Sequence, residues 1–143
     1  MAVKQISVFL ENRPGALMAM TDVLAEHNID MRALSLAETT DFGIARLIVD
    51  DIFATAAVLR ETGFVYNMIP VVAVNIPDEP GGLNKILKLF ANADINVEYM
   101  YAFIGGKADR AYMIFRVQDD QKADDVLKAN GIESASQDEI SAL

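Results

Sequence analysis

Apolar residues recur at every second position in two short stretches of this chain. The first stretch opens the sequence, with apolar residues at Ile6, Val8 and Leu10. The second stretch lies at the middle of the sequence, with apolar residues at Val72, Val74 and Ile76. A period of two is typical of a strand that buries one face. The pattern therefore predicts two strands, one near the start of each half of the chain.

A Pro-Gly pair follows each of these stretches, and the apolar period then changes to that of a helix. The helical positions are Leu17, Met20 and Leu24 in the first half, and Leu83, Ile86, Leu87 and Phe90 in the second half. This spacing puts the apolar side chains on one helix face. Asn28 and Asp94 follow, where each helix must turn back, and both residue types tolerate a positive φ.

The remaining pattern completes the same order of elements in both halves. Two pairs of strands are predicted, 29–37 with 44–49 and 95–104 with 111–117. Acidic pairs come next and are suited to cap a second helix. They are Asp50-Asp51 and Asp119-Asp120, and the second helices end at Gly63 and Gly131. A last strand at 65–69 leads through Pro70 into the second half. Each half is thus predicted to be β-α-β-β-α-β.

The two halves are one unit written twice. Pro14 falls on Pro80 at a separation of 66 residues, and later Val49 falls on Val117 at a separation of 68. The change lies at the second hairpin, where the second half has a longer turn, Gly105-Gly106-Lys107. Duplicated folds tolerate insertions at hairpin tips. We therefore expect two domains, residues 1–69 and 70–143.

Two helices on one face of an antiparallel sheet define a ferredoxin-like α+β unit. We expect two such units side by side and rigidly packed, because no Gly/Ser-rich linker separates them. Ile48 and Ile114 should lie on the sheet face away from the helices. A half-apolar outer face suggests coverage by another sheet, most simply in a homodimer. The alternative is a monomer with scattered apolar residues on two exposed faces.

Composition narrows the classes of function. The formal net charge is −9 with only 12 Lys and Arg residues, so nucleic acid and membrane surfaces are not expected partners. The chain has no cysteine, which excludes disulfides, zinc–thiolate sites and cysteine nucleophiles. The start has no signal-peptide core, and the longest apolar stretch is too short for a membrane span. A soluble, cytoplasmic protein is expected.

The turn from first strand to first helix offers a binding chemistry. Free backbone N–H groups at a helix N-terminus favour a carboxylate. Gly15 and Gly81 let a ligand approach the backbone, Asn12 can both donate and accept, and Arg13 can add positive charge. The alternative is a purely structural turn. A structural role is favoured for Pro14, whereas a binding role is favoured for Asn12.

The repeated turn, Glu11-Asn12-Arg13-Pro14-Gly15-Ala16-Leu17 and Asp78-Glu79-Pro80-Gly81-Gly82-Leu83, resembles that of the ACT domain family, here as a tandem pair. Domains of that family bind small molecules and mostly regulate amino-acid metabolism, so the resemblance implies a regulator of this kind. The first loop is similar to the serine-binding loop of the phosphoglycerate dehydrogenase regulatory domain, and the second is its acidic form. Leu10 replaces a histidine of the serine binders, which disfavours serine and favours a more hydrophobic amino acid.

The same resemblance places a second ligand contact just after the first helix, at Asp30 and Asn96. It implies two unequal sites across the interface between the repeats, Asn12 with Asn96, and Asp78 with Asp30 beside Glu79. The second is crowded with negative charge, so the Asn12 site should bind better. The predicted ligand-binding residues are Asn12, Arg13, Gly15, Ala16, Asn96, Asp78, Glu79, Gly81, Gly82 and Asp30.

The function predicted from the sequence is a non-catalytic regulator that binds an amino acid or similar metabolite. No nucleophile–base arrangement, metal-ligand cluster or phosphate loop is present, so no catalytic residue, cofactor or metal is expected. The alternative is a ligand-free subunit that regulates a biosynthetic enzyme through protein contacts. Tyr99 and Tyr101 are equally compatible with the core and with the lining of a ligand pocket.

Overall fold

The computed structural model describes residues 3–105 and 109–143. Its elements are β1 (Val3–Glu11), α1 (Ala16–Glu26), β2 (Met31–Glu38), β3 (Phe42–Val49), α2 (Ile52–Glu61), β4 (Val65–Pro77), α3 (Gly82–Asn92), β5 (Val97–Ala102), β6 (Arg110–Val117), α4 (Asp120–Ala129) and α5 (Gln137–Ser141). Gly106 and Lys107, in the longer turn predicted for the second half, lie outside the described residues. Among the described helices, none has the length and apolar character that a membrane crossing requires.

The turns and helix caps predicted from the sequence are present in the structure. The Asp51 carboxylate accepts a hydrogen bond from the Ala54 N–H at the start of α2, and Asp119 caps α4 in the same way. Asn28 and Asp94 follow α1 and α3 with φ of 56° and 58°. These short polar side chains allow the left-handed turn that redirects the chain into the next element.

The six strands of the described residues form one antiparallel sheet in the order β2-β3-β1-β4-β6-β5. β4 belongs to both units, because its residues 65–71 pair with β1 and its residues 72–77 pair with β6. The last strand predicted for the first unit and the first strand of the second are therefore one continuous strand. The predicted boundary between residues 69 and 70 falls inside it.

The second unit ends differently from the first. Its fourth strand is reduced to one bridge between Val74 and Ser134, with the Ala135 N–H donating to the Ala73 carbonyl at 2.7 Å. Ser136 then caps α5 by accepting from the Glu139 N–H, so the chain turns helical where a strand would continue. α5 packs against the inner face of the sheet through Ile140, which is fully buried.

The sheet curls until its two edge strands meet. Ala33 of β2 bridges to Phe103 just after β5, and the Ile104 N–H donates to the Arg32 carbonyl at 2.8 Å. Helices α1 to α4 pack outside over two separate apolar cores. Ile48 and Ile114, from the two units, are fully buried together in a third cluster inside the curl. The apolar faces expected to need a second molecule thus cover each other within one chain, which removes the reason given for a homodimer.

Candidate functional site

The two Pro-Gly loops adopt the same backbone turn. Gly15 precedes α1 with φ 84° and ψ −10°, and Gly81 precedes α3 with φ 85° and ψ −7°. This left-handed conformation favours glycine. A Cβ atom built on either glycine would have no heavy atom within 4 Å, apart from its chain neighbours. The space in front of both glycines is therefore open to a ligand.

The helices that follow these loops differ from the others in how they begin. Side chains cap α2, α4 and α5, from Asp51, Asp119 and Ser136 respectively. Within the described residues, no side chain caps α1 or α3. The first N–H groups of a helix lack partners inside the helix, and they carry partial positive charge. The α1 and α3 N-termini are thus suited to accept an anion.

The first loop is tied to the turn between β2 and β3. The Asn12 N–H donates to the Asp41 carbonyl at 3.1 Å, and the Asn12 side-chain amide donates to the Thr39 carbonyl at 3.2 Å. Arg13 forms an exposed ion pair with Glu11 at 2.8 Å. The side chains of Asn12 and Arg13 are exposed, whereas Ala16 is buried in the core.

A small cavity of about 270 Å³ lies beside this first loop. Its walls are largely apolar, and they include two predicted residues, Arg13 and Ala16. The other lining residues are Phe9, Leu10, Glu11, Ala19, Gly63, Phe64 and Val65. Leu10 is otherwise part of the core under the helices, so it brings no polar group to a ligand. All of these residues belong to the first unit.

The second loop is held by its own backbone and by the β5–β6 hairpin. The Asp78 N–H donates to the Asp109 carbonyl at 2.8 Å, and the Gly82 N–H donates to the Glu79 carbonyl at 3.1 Å. A Cβ on Gly82 would stand 2.4 Å from the Pro77 carbonyl oxygen. Gly82 is therefore required by the turn itself, while Asp78 and Glu79 are exposed to solvent.

The predicted partner residues line two other cavities. Asn96 lines a cavity of about 560 Å³ whose walls come only from the second unit and carry four carboxylates, those of Asp94, Glu98, Asp119 and Asp120. None of its lining residues belongs to the first loop, so Asn12 does not line this cavity. Asp30 lines a cavity of about 630 Å³ between the units, and Asp78 is not among its lining residues. Both pairings stay predictions.

Arg32 lies in the wall of the cavity that Asp30 lines, and it was not identified from the sequence. Its guanidinium donates to the Ile140 carbonyl at 3.2 Å, to the Ser141 carbonyl at 3.0 Å and to the Asp30 carboxylate. It thereby ties β2 to the C-terminal helix at the wall of the cavity. An arginine two residues after Asp30, near the start of a largely apolar strand, was the available signal.

Tyr99 and Tyr101 lie inside the curl, not at either loop. The Gln5 side-chain amide donates to the Tyr99 hydroxyl at 2.8 Å, and the Tyr101 hydroxyl donates to the Gln5 side-chain oxygen, Oε1, at 2.7 Å. The Arg46 guanidinium lies 3.7 Å above the centre of the Tyr99 ring. Burial, with a smaller contribution from Tyr99, raises the pKa of Tyr101 despite the opposing charge of Arg46. These half-buried tyrosines join the two units through Gln5, and Tyr101 packs against the apolar cluster inside the curl.

A family model for the ACT domain pair matches residues 1–143. The chain belongs to the ACT domain pair family. A comparison with curated proteins gives no match. A Bacteroides thetaiotaomicron protein of known structure is 35% identical, with a TM-score of 0.92 over 100% of this chain and 98% of that chain.

Two aspartate kinase regulatory subunits share the fold of this ACT domain pair at lower identity. The ligand-free subunit from Thermus thermophilus is 18% identical, with a TM-score of 0.66 over 90% of this chain and 89% of that chain. The subunit from Thermus flavus is also 18% identical, with a TM-score of 0.60 over 90% of each chain. The predicted tandem ACT architecture and α+β class are confirmed.

The family supports a regulatory, non-catalytic role for the ACT domain pair. In residues 3–105 and 109–143 no three acidic or histidine side chains are grouped so as to hold a metal ion. The arrangement offers instead two uncapped helix N-termini behind glycine turns, one of them next to an apolar cavity. Such a site can hold a small carboxylate whose other end is apolar.

Proposed function

We propose that this ACT domain pair senses an amino acid, whose α-carboxylate accepts hydrogen bonds from the N-terminus of α1. The observation that carries the proposal is the contrast in capping. Acidic or hydroxyl side chains occupy the N-termini of α2, α4 and α5, whereas α1 and α3 begin behind open glycine turns with no side-chain cap. A ligand carboxylate would complete the missing cap.

The first loop should bind more tightly than the second. Asn12 is neutral and Arg13 is cationic, while the second loop presents Asp78 and Glu79 at the same positions of the turn. The Arg13–Glu11 ion pair is exposed and therefore weak, so Arg13 can turn toward an incoming carboxylate at little cost. Two carboxylates beside α3 would repel the same ligand group.

The ligand that fits the first loop has an apolar side chain of moderate size. The cavity beside the loop has a volume of about 270 Å³, and Phe9, Phe64 and Val65 form part of its wall. An apolar amino acid would place its carboxylate at the start of α1 and its side chain against these three residues. Asn96 is not among the residues that line this cavity.

Isothermal titration calorimetry with the twenty amino acids tests the proposal. An apolar amino acid should bind the wild-type chain, and Asn12→Asp should weaken binding at least tenfold by adding a like charge. Asp78→Asn is the matched variant on the second loop and should leave the first site unchanged. Asn96→Ala reports whether the second unit contributes.

Two results would count against this function. Equal affinity at both loops in the wild-type chain would contradict the proposed asymmetry. Silence across the whole panel would favour the second candidate, a regulatory subunit that acts through protein contacts without a ligand. The acidic second loop is the observation that favours that candidate, since it resists the carboxylate of an amino acid.

A further inference from the structure

One edge of β4 has no partner strand between residues 65 and 69. In the part of the chain that the structure describes, these residues pair with β1 on one side, and β6 joins the other side only from Val72 onward. The Arg116 guanidinium donates to the Pro70 carbonyl at 3.1 Å and marks the end of the unpaired part. We call residues 65–69 on this side the open edge.

The open edge lacks the features that usually prevent strand pairing between molecules. Proteins protect such edges with charged side chains, prolines or bulges. Residues 65–69 are Val, Tyr, Asn, Met and Ile, and they contain neither a charge nor a proline. No charged residue occurs anywhere from Phe64 to Pro77. This edge is therefore able to accept another strand.

Exposed apolar side chains stand beside the open edge on the helix side. The Arg60 guanidinium donates to the Tyr66 hydroxyl at 3.2 Å, so this flank of α2 faces β4. Phe53 lies seven residues earlier on the same flank and is 80% exposed. Met68 lies on the same strand face as Tyr66, two residues further on, and is 44% exposed. Both are apolar surfaces that a neighbouring molecule would bury.

We propose that the open edge is the interface between two copies of this chain, which pair β4 to β4 antiparallel about Asn67. A twofold arrangement needs a surface that is complementary to itself. Two uncharged strand edges satisfy this requirement, because each supplies the N–H and C=O groups that the other lacks. A chain with a net charge of −9 repels its own copies, and this segment carries none of that charge.

The position of α2 is compatible with a twofold axis near Asn67. Gly63 lies in the turn between α2 and β4. Ala54 stands about 13.5 Å back along α2 from that turn at 1.5 Å per residue. Asn67 stands about 13 Å forward along the strand at 3.3 Å per residue. A twofold axis near Asn67 therefore brings the two α2 helices together close to Ala54, with Phe53 and Met68 covered. This surface is separate from the inner sheet faces, which cover each other within one chain. The dimer is expected to form without the proposed ligand.

A single cysteine provides a direct test, because the chain has no cysteine of its own. Opposed residues of antiparallel strands have Cα atoms about 4.5–5.5 Å apart, within the range for a disulfide. Asn67→Cys in the full chain should form a covalent dimer under mild oxidation, reversed by reductant. The control, Gln121→Cys, places a thiol at another exposed position, on α4, and should not cross-link. Equal cross-linking rates for the two variants would overturn the proposal.

Sedimentation equilibrium then measures the strength of the interface. The wild-type chain should be dimeric, and Phe53→Lys and Met68→Lys should each raise the dimer Kd at least tenfold. Leu36→Lys is the matched control, because Leu36 is an exposed apolar strand residue, at 53%, on β2 at the edge of the sheet. Circular dichroism checks that every variant keeps its fold. A monomeric wild-type chain, or a dimer that only Leu36→Lys weakens, would refute this interface.

Discussion

The Tyr101 hydroxyl donates a hydrogen bond of 2.7 Å to the side-chain oxygen of Gln5, across the interior of the curled sheet. Gln5 belongs to β1 of the first unit and is fully buried, and Tyr101 belongs to β5 of the second. The same glutamine holds Tyr99 and Ser7 through its amide. Hydrogen bonds are stronger in an interior of low dielectric constant, and buried polar groups left without partners are costly there. The bonds of Gln5 therefore fix the orientation of the two units relative to each other.

Removing the Tyr101 hydroxyl should destabilise the whole chain. Tyr101→Phe leaves the buried Gln5 oxygen without this donor, and an unsatisfied buried acceptor costs about 1–3 kcal/mol. Urea denaturation measures the loss of unfolding free energy. Tyr66→Phe is the control, since the Tyr66 hydroxyl bonds to Arg60 at the surface and its loss should cost less than about 0.5 kcal/mol. Equal losses would show that the interior bond contributes nothing special.

Stability should fall in alkaline solution. Burial raises the pKa of Tyr101, and burial together with a hydrogen bond to Glu139 raises the pKa of Tyr112. The unfolded chain then loses these protons first, above about pH 10, so the contribution is complete below that pH and declines above it. Urea midpoints between about pH 8 and 11 should show the decline. It should be smaller in Tyr101→Phe, and an identical slope would contradict this assignment.

The C-terminal helix should be essential for stability although it has only 5 residues. Ile140 is fully buried in the cluster between the sheet faces, and deleting its side chain to Ala should cost about 2–5 kcal/mol. Leu143→Ala, at a residue 40% exposed, should change the unfolding free energy by less than about 0.5 kcal/mol. Thermal unfolding of both variants measures the difference. A mild Ile140→Ala would mean that the helix is dispensable.

The second Pro-Gly loop should tolerate its two glycines differently. Gly82→Ala puts a Cβ 2.4 Å from the Pro77 carbonyl oxygen, and relieving that overlap should cost about 1–3 kcal/mol or more. Gly81→Ala meets no atom, and its cost of about 1–2 kcal/mol comes only from the positive φ. We expect the lower melting temperature for Gly82→Ala. The reverse order would mean that the turn can shift to accommodate the side chain.

The sequence by itself determined the repeated order of strands and helices. Alternation from Ile6 to Leu10, helical spacing from Leu83 to Phe90, and the caps at Asp51 and Asp119 all act between neighbours along the chain. Their signals are local, so they can be interpreted without knowing the tertiary structure. The glycine turns at Gly15 and Gly81 were predicted for the same reason, whereas the pairing of Asn12 with Asn96 remains a prediction.

The tertiary structure alone decided what covers the apolar face that carries Ile48 and Ile114. A period of two says that a strand face is buried, but it does not name the surface that buries it. Here the answer depends on one strand, β4, which serves both units and lets the sheet curl until Ala33 meets Phe103. The same curl brings Gln5 to Tyr101 and leaves room for α5 in place of a last strand. Each of these contacts joins residues far apart in the sequence, and local patterns carry no information about such pairings.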